Sequence, residues 1–294
     1  MNWRNMCNLC KLRIFPMTRV AAACVIRNVC NLRKLRIFPM ACVAAVCVIL
    51  LGYLALIISN AIYLGWHDFS YFLPRERLWV RFWLTVRTST LATAFSLLVG
   101  IPVGYTLSRL RLPCRTLMTT LIDLPVMVPP AAVGVFLFGV VKSTPVRQLA
   151  DLLGLRFAHN ADGIVLVQFA VTVAFCVRLM KASFDGVNPR FEHVSRSLGA
   201  SLPGTMLRVT LPLAKNGIIA STIVVWARAA AEWEGLMLFV GGTMAKTDVM
   251  PFSVYLDWNG GMMGWVVMFS LICVAMAVVS MAAVRVIGGR SYVW

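Results

Sequence analysis

Glu192-His193-Val194-Ser195-Arg196-Ser197-Leu198-Gly199-Ala200-Ser201, running on through Val209-Thr210-Leu211-Pro212-Leu213-Ala214, is the longest polar and basic segment after the N-terminal arm. It lies between two apolar runs, each long enough to cross a bilayer. Glu192 and Ser195 to Ser197 predict a short helix, Gly199 its end, and Leu211-Pro212 the close of the loop before the next apolar run. A tight turn between membrane helices needs fewer residues, so the loop reads as a docking element.

The rest of the chain gives that loop its setting. Hydrophobic residues make up 60% of the sequence and charged ones 13%, which excludes a soluble globular protein. Six apolar runs predict transmembrane helices at about 41–64, 82–107, 117–141, 163–180, 218–240 and 264–286. The expected fold is an all-α, polytopic helical bundle. The formal charge of +17 does not indicate nucleic acid, because the basic residues flank apolar spans. Arg33, Lys34 and Arg36 place the N-terminus in the cytoplasm, and six crossings return the C-terminus there beside Arg285 and Arg290. Inside loops then hold Arg109, Arg111 and Arg115, and later Lys181, Arg190, Arg196, Arg208 and Lys215, so the Glu192 loop is cytoplasmic. Outside loops carry mixed charge, including Glu76, Arg77, Asp248 and Asp257. Arg81 and Arg87 sit awkwardly near the start of the second span and suggest that it begins later. Trp66, Tyr71, Phe72, Trp79 and Trp83, with Trp258 and Trp265, form an aromatic belt at the outer interface with lipid.

The basic arm, residues 1–40, contains a duplication: Arg4 to Met17 recurs as Arg27 to Met40 at an offset of 23 residues. Two copies are too few for a solenoid. A local duplication, or a translation start placed too early, accounts for residues 1–26; a signal peptide is the rival, weakened by the long apolar run. Only the second copy continues into an uncharged stretch that can span, 41–64.

Chemistry-bearing patterns are few. The nine cysteines give one CxxC, Cys7 to Cys10, with no second pair, so neither a metal site nor a disulfide framework is expected. No cofactor is implied. The three histidines build no catalytic arrangement, and Ala245-Lys246-Thr247 lacks the glycines of a phosphate loop. The chain is therefore expected to be no enzyme, with any ATP hydrolysis on a separate subunit. In the third run, Leu124-Pro125-Val126-Met127-Val128-Pro129-Pro130 breaks a helix at membrane depth. Irregular backbone there lines a cavity or packs in protein, so Pro125, Pro129 and Pro130 are candidate path residues. Glu232 and Glu234 in the fifth run are costly intramembrane carboxylates and join them. Spaced i, i+2 they do not share a helix face; one could pair with Arg228.

Glu192, Gly199 seven positions on and Pro212 thirteen beyond that resemble the EAA loop of ABC-importer permeases. The stretches around Pro129-Pro130, Arg196 to Ser201, Thr210 to Leu213 and Ala227 to Glu232 resemble most closely the permeases for molybdate, tungstate and sulfate. The resemblance covers about residues 83–285. It implies a type I importer core at 82–287, with a cytoplasmic coupling loop at about 185–215 in which Glu192, Ser195, Leu198, Gly199, Leu211 and Pro212 engage an ABC ATPase. It also implies a homodimer in membrane lipid, an extracytoplasmic substrate-binding protein, and an inner-membrane location. His193 and Val194 depart from the family's alanines, and Glu234 stands where a glycine is expected.

Two alternatives remain from the sequence. A secondary transporter or channel would use Glu232 and Glu234 as proton or cation groups, need no ATPase, and leave the Glu192 loop without a task. A permease of the same superfamily could carry sulfate, phosphate or an amino acid.

Overall fold

The computed structural model describes residues 37–110, 115–152, 160–241 and 247–288. The first copy of the N-terminal duplication, the second copy as far as Arg36 (with Arg33 and Lys34), and the CxxC pair lie outside the described residues. Every regular element among the described residues is a helix. The chain forms two units, Met1–Ser59 and Asn60–Trp294. Helix α1, Ile37–Phe72, supplies the described part of the first unit; within the second it is broken at Gly65, whose φ of 68° a residue with a Cβ rarely adopts.

In the second unit, α2 (Glu76–Arg109) packs most extensively on α6 (Ala161–Asp185). Its buried face is small and polar: Thr85, Ser89, Thr93, Ser96, Gly100 and Gly104. Apolar area gives no drive between helices in lipid, so close packing and hydrogen bonds must do the work. Thr85 and Thr93 each donate to the carbonyl four residues back, at 2.8 and 2.7 Å. Ser96 Oγ and Thr172 Oγ1 lie 3.0 Å apart, and Gln168 Nε2 donates to the Ala229 carbonyl at 3.1 Å. Helix α6 is thereby fastened to α2 on one side and to α9 (Leu211–Ala230) on another. Apolar clusters fill the ends: Ile164, Leu236 and Phe252 in one, Tyr105, Met180, Phe184 and Val225 in another. α12 (Met263–Gly288) closes a third with Leu78, Met250, Met268 and Phe269.

Several expected spans change shape. The second begins at Glu76 rather than near 82, and its 34 residues absorb both Arg81 and Arg87. Arg81 is tolerated there because it is buried against Asp248. The third is no straight crossing: α3 (Arg115–Met127) and α4 (Pro130–Lys142) meet at 103°. Pro129 and Pro130 cannot donate backbone N–H groups to the preceding turn, and Pro130 instead opens α4 as its first residue. The fifth run does not reach 240 as one helix; α9 stops at Ala230 and a separate α10 (Glu234–Phe239) follows. Helices α5 (Thr144–Leu152) and α11 (Met250–Asn259) lie in the expected outside loops. Among the described residues, five helices are long and apolar enough to cross, or six counting the bent pair as one.

Candidate functional site

The polar loop folds as α7 (Arg190–Ser197), then α8 (Leu202–Thr205), then a π-helical turn, Met206–Thr210, running into α9. Gly199, at φ 87°, ends α7. Its N–H bonds the Arg196 carbonyl at 3.0 Å and the next N–H, of Ala200, reaches back to Ser195 at 3.2 Å, the two bonds of a Schellman cap. Ser201 then starts α8 by accepting from the Gly204 N–H at 3.2 Å. Pro212 sits in the first turn of α9, where its missing N–H leaves the Arg208 carbonyl without the usual helical donor, and the wider π turn precedes it.

These terminations orient α7 with two contrasting faces. Phe191, Val194 and Leu198, at i, i+3 and i+7, form an exposed apolar ridge, with Leu198 84% exposed. Glu192 points the other way and is only 7% exposed. Its Oε1 accepts from Arg109 Nε at 2.7 Å and from Thr210 Oγ1 at 2.8 Å, and Oε2 from Tyr105 OH at 3.3 Å. Arg109 Nη2 also donates to the carbonyls of Phe184 and Val187, at 2.8 and 2.7 Å. One guanidinium thus joins the end of α2, the end of α6 and the start of α7. Ser195 Oγ lies 3.3 Å from Thr205 Oγ1, and Leu211 packs on the cluster around Phe184.

The second candidate region is where two helix breaks meet. Between α9 and α10 the chain turns at Ala231 to Trp233, and Glu232 folds back, 2% exposed. Its Oε1 accepts from the Gly235 N–H at 3.0 Å and its Oε2 from Arg228 Nη1 at 2.9 Å. Arg228 has no other polar partner among the described residues, and its side chain remains 38% exposed. The break of the bent span lies alongside. A Cβ on Gly235 would come within 3.0 Å of the Pro130 carbonyl oxygen. A Cβ on Gly134 would come within 2.9 Å of Gly235 Cα and closer still to its carbonyl oxygen, so α4 and α10 cross backbone to backbone. Pro129 caps α4, Pro125 lies inside α3, and Glu234 is half-buried at the start of α10. The outward-facing charge of the Glu232 pair is therefore the guanidinium; the carboxylate serves as internal cap and counter-ion.

Residues 83–291 match the family described as the binding-protein-dependent transport system inner membrane component. The chain belongs to that family. Among its relatives is the molybdenum transport system permease protein ModB of Escherichia coli K12, 30% identical over 207 residues, covering 69% of this chain and 90% of that protein. The molybdate/tungstate transport system permease protein WtpB of Pyrococcus furiosus is 32% identical over 151 residues, 51% of this chain and 56% of that one. The fold also matches a bacterial importer of the acidic polysaccharide alginate, with a TM-score of 0.67 at 15% identity, over 89% of this chain and 100% of that chain. The methionine transporter MetNI matches with a TM-score of 0.55 at 14% identity, over 71% of this chain and 97% of that chain. This chain is thus a multi-pass membrane permease component of an ABC importer, and the self-contained carrier is set aside.

For this permease, the structure brings Glu192, Ser195, Leu198, Gly199, Leu211 and Pro212 into one loop assembly, but not as equals. Leu198 and Gly199 are at its surface; Glu192 is built into the protein. Pro130 and Glu232 meet at Gly235, and the pairing of Glu232 with Arg228 is present. The sequence marks Arg109 only as a positive-inside residue, places Thr210 in the loop without a partner, and gives Tyr105 no role. Local sequence carried no signal for that cluster, since Arg109 and Glu192 are 83 residues apart.

Proposed function

We propose that this permease moves a tetrahedral oxyanion of the molybdate or tungstate kind, and that the α7 loop receives the stroke of an ABC ATPase carried on a separate chain. The single observation that carries the coupling reading is the two-faced α7. An exposed ridge of Phe191, Val194 and Leu198 suits a partner's groove, while buried Glu192 fixes the helix to α2, α6 and the π turn. The cargo reading rests on the molybdenum and molybdate/tungstate permeases among the relatives. In this reading residues 1–40 are a basic arm, 41–64 a first transmembrane helix, and 82–287 the permease core. Two copies of the chain stand in membrane lipid with the loop and both termini in the cytoplasm, and an extracytoplasmic binding protein delivers the anion. ATP-driven movement of α7 rocks the bundle and switches access at the breaks around Pro125, Pro129, Pro130, Glu232 and Glu234. Arg228, half-exposed and countered by Glu232, keeps that region from being a carboxylate barrier to an anion.

The test is reconstitution of the permease with its ATPase and binding protein in proteoliposomes. Molybdate- or tungstate-loaded binding protein is expected to stimulate ATP hydrolysis and anion uptake, and Leu198→Asp to abolish ATPase assembly while the purified permease melts as wild type does. Stimulation by sulfate, phosphate or an amino acid alone would reject the cargo; normal assembly in Leu198→Asp would reject the docking ridge.

A further inference from the structure

The opposite end of α2 carries a second charge cluster that the transport reading does not use. Arg81 Nε donates to Asp248 Oδ2 at 2.6 Å, Arg81 Nη2 bonds the same oxygen, and both residues are buried. Arg77 Nη2 pairs with Asp257 Oδ1. Thr85 Oγ1 accepts from the Met250 backbone N–H at 2.9 Å. The start of α2 is thereby bolted to both ends of α11 and to the segment leading into it.

As a stabilising device this cluster is poor. Arg81 Nη1, Asp248 Oδ1 and Asp257 Oδ2 are buried without a hydrogen-bond partner. Burial pushes the Asp257 carboxyl up from its ordinary value, against the opposing pull of Arg77 and Arg81. Apolar residues of similar volume would hold helices together at least as well. What ion pairs add is direction and register, which apolar contact does not supply.

The same helix ends in Arg109, hydrogen-bonded to Glu192 of α7. Arg81 and Arg109 are separated by 28 residues of one helix, about 42 Å at 1.5 Å per residue, more than the roughly 30 Å hydrocarbon core. Along that length α2 is also held to α6 through Ser96 and Thr172. We infer that α2 is a relay rod, and that Arg81, Thr85 and Asp248 are positioning residues that pass the docking of the loaded binding protein, through α11 and α2, to the ATPase-facing helix α7. The inference rests on the permease function proposed above.

The experiment measures ATP hydrolysis by the reconstituted complex with and without molybdate-loaded binding protein. Arg81→Met combined with Asp248→Leu removes the pair without stranding a charge. Basal hydrolysis and the melting temperature are expected to stay near wild type, while stimulation by the loaded binding protein falls at least about fivefold, the lower end of coupling between sites. Thr85→Val, which removes the acceptor for Met250, is expected to act in the same direction, and Thr85→Ser to restore coupling. If the double variant fails to assemble, the Thr85 pair decides. A stimulation ratio unchanged per assembled complex in these variants overturns the relay alone. Absence of stimulation in the wild type overturns the transport reading, and the relay with it.

Discussion

Glu192→Ala, made in the permease purified without its ATPase, separates an internal anchor from a docking contact. The carboxylate is held by Arg109 and Thr210 at 2.7 and 2.8 Å and more loosely by Tyr105 at 3.3 Å. Glu192 and Arg109 side chains are each 10% exposed, so solvent screens the pair little. Breaking a buried pair by removing one partner costs about 3–5 kcal/mol. Arg109 keeps its bonds to the Phe184 and Val187 carbonyls, so the guanidinium is not stranded, and the lower end, about 3 kcal/mol, applies. Glu192→Gln keeps an oxygen for Arg109 and Thr210 but exchanges charge-assisted bonds for neutral ones, a loss of about 1–1.5 kcal/mol. The expected order of thermal midpoints is wild type, then Gln, then Ala, read at one scan rate because unfolding from detergent is not a two-state equilibrium. An isolated Glu192→Ala permease that melts like wild type yet no longer binds ATPase would refute the reasoning and return Glu192 to the docking surface.

Three further outcomes follow from the geometry. Gly134→Ala drives a methyl against the Gly235 backbone, at least about 0.5 Å inside the 3.4 Å where ordinary contact begins. Separating α4 from α10 is expected to cost about 1–3 kcal/mol and to lower anion uptake with helical content intact, checked by thermal melting, circular dichroism and flux. Gly199→Ala meets open space but must hold φ near 87°, so about 1–2 kcal/mol is lost through the backbone alone; Gly199→Asn should lose less, measured as melting temperature and ATPase assembly. Glu232→Gln leaves Arg228 without its counter-ion but keeps a cap for Gly235; because Arg228 is 38% exposed, the charge loss is discounted to about 1 kcal/mol or less. Glu232→Leu, which also removes the cap, should melt lower than Glu232→Gln.

Legibility from sequence followed the range of the physics. The apolar runs were plain because a bilayer demands about 20 consecutive apolar residues wherever the chain crosses. The α7 loop was plain because caps and breakers act locally: Gly199 and Pro212 end and start helices through their own backbone chemistry. Proline chemistry likewise marked 125–130 as a break, but not its 103° angle, which depends on how α4 beds against α10 through Gly134 and Gly235. Glu232 and Glu234 read as two carboxylates of one span; the turn at Ala231 to Trp233 separated them, because Glu232 caps the following helix.

By itself, then, the sequence determined an all-helical membrane bundle, a polar loop with a defined helix end, and a proline break within an apolar run. Tertiary structure alone decided which way each polar group faces. It turned Glu192 inward to Arg109, set Arg228 outward from Glu232, and joined Arg81 to Asp248 across 167 residues. The reason is one of distance. Periodicity and capping are written within a turn or two of the chain, whereas a buried charge is acceptable only if folding brings it a partner, and that partner can lie anywhere in the sequence.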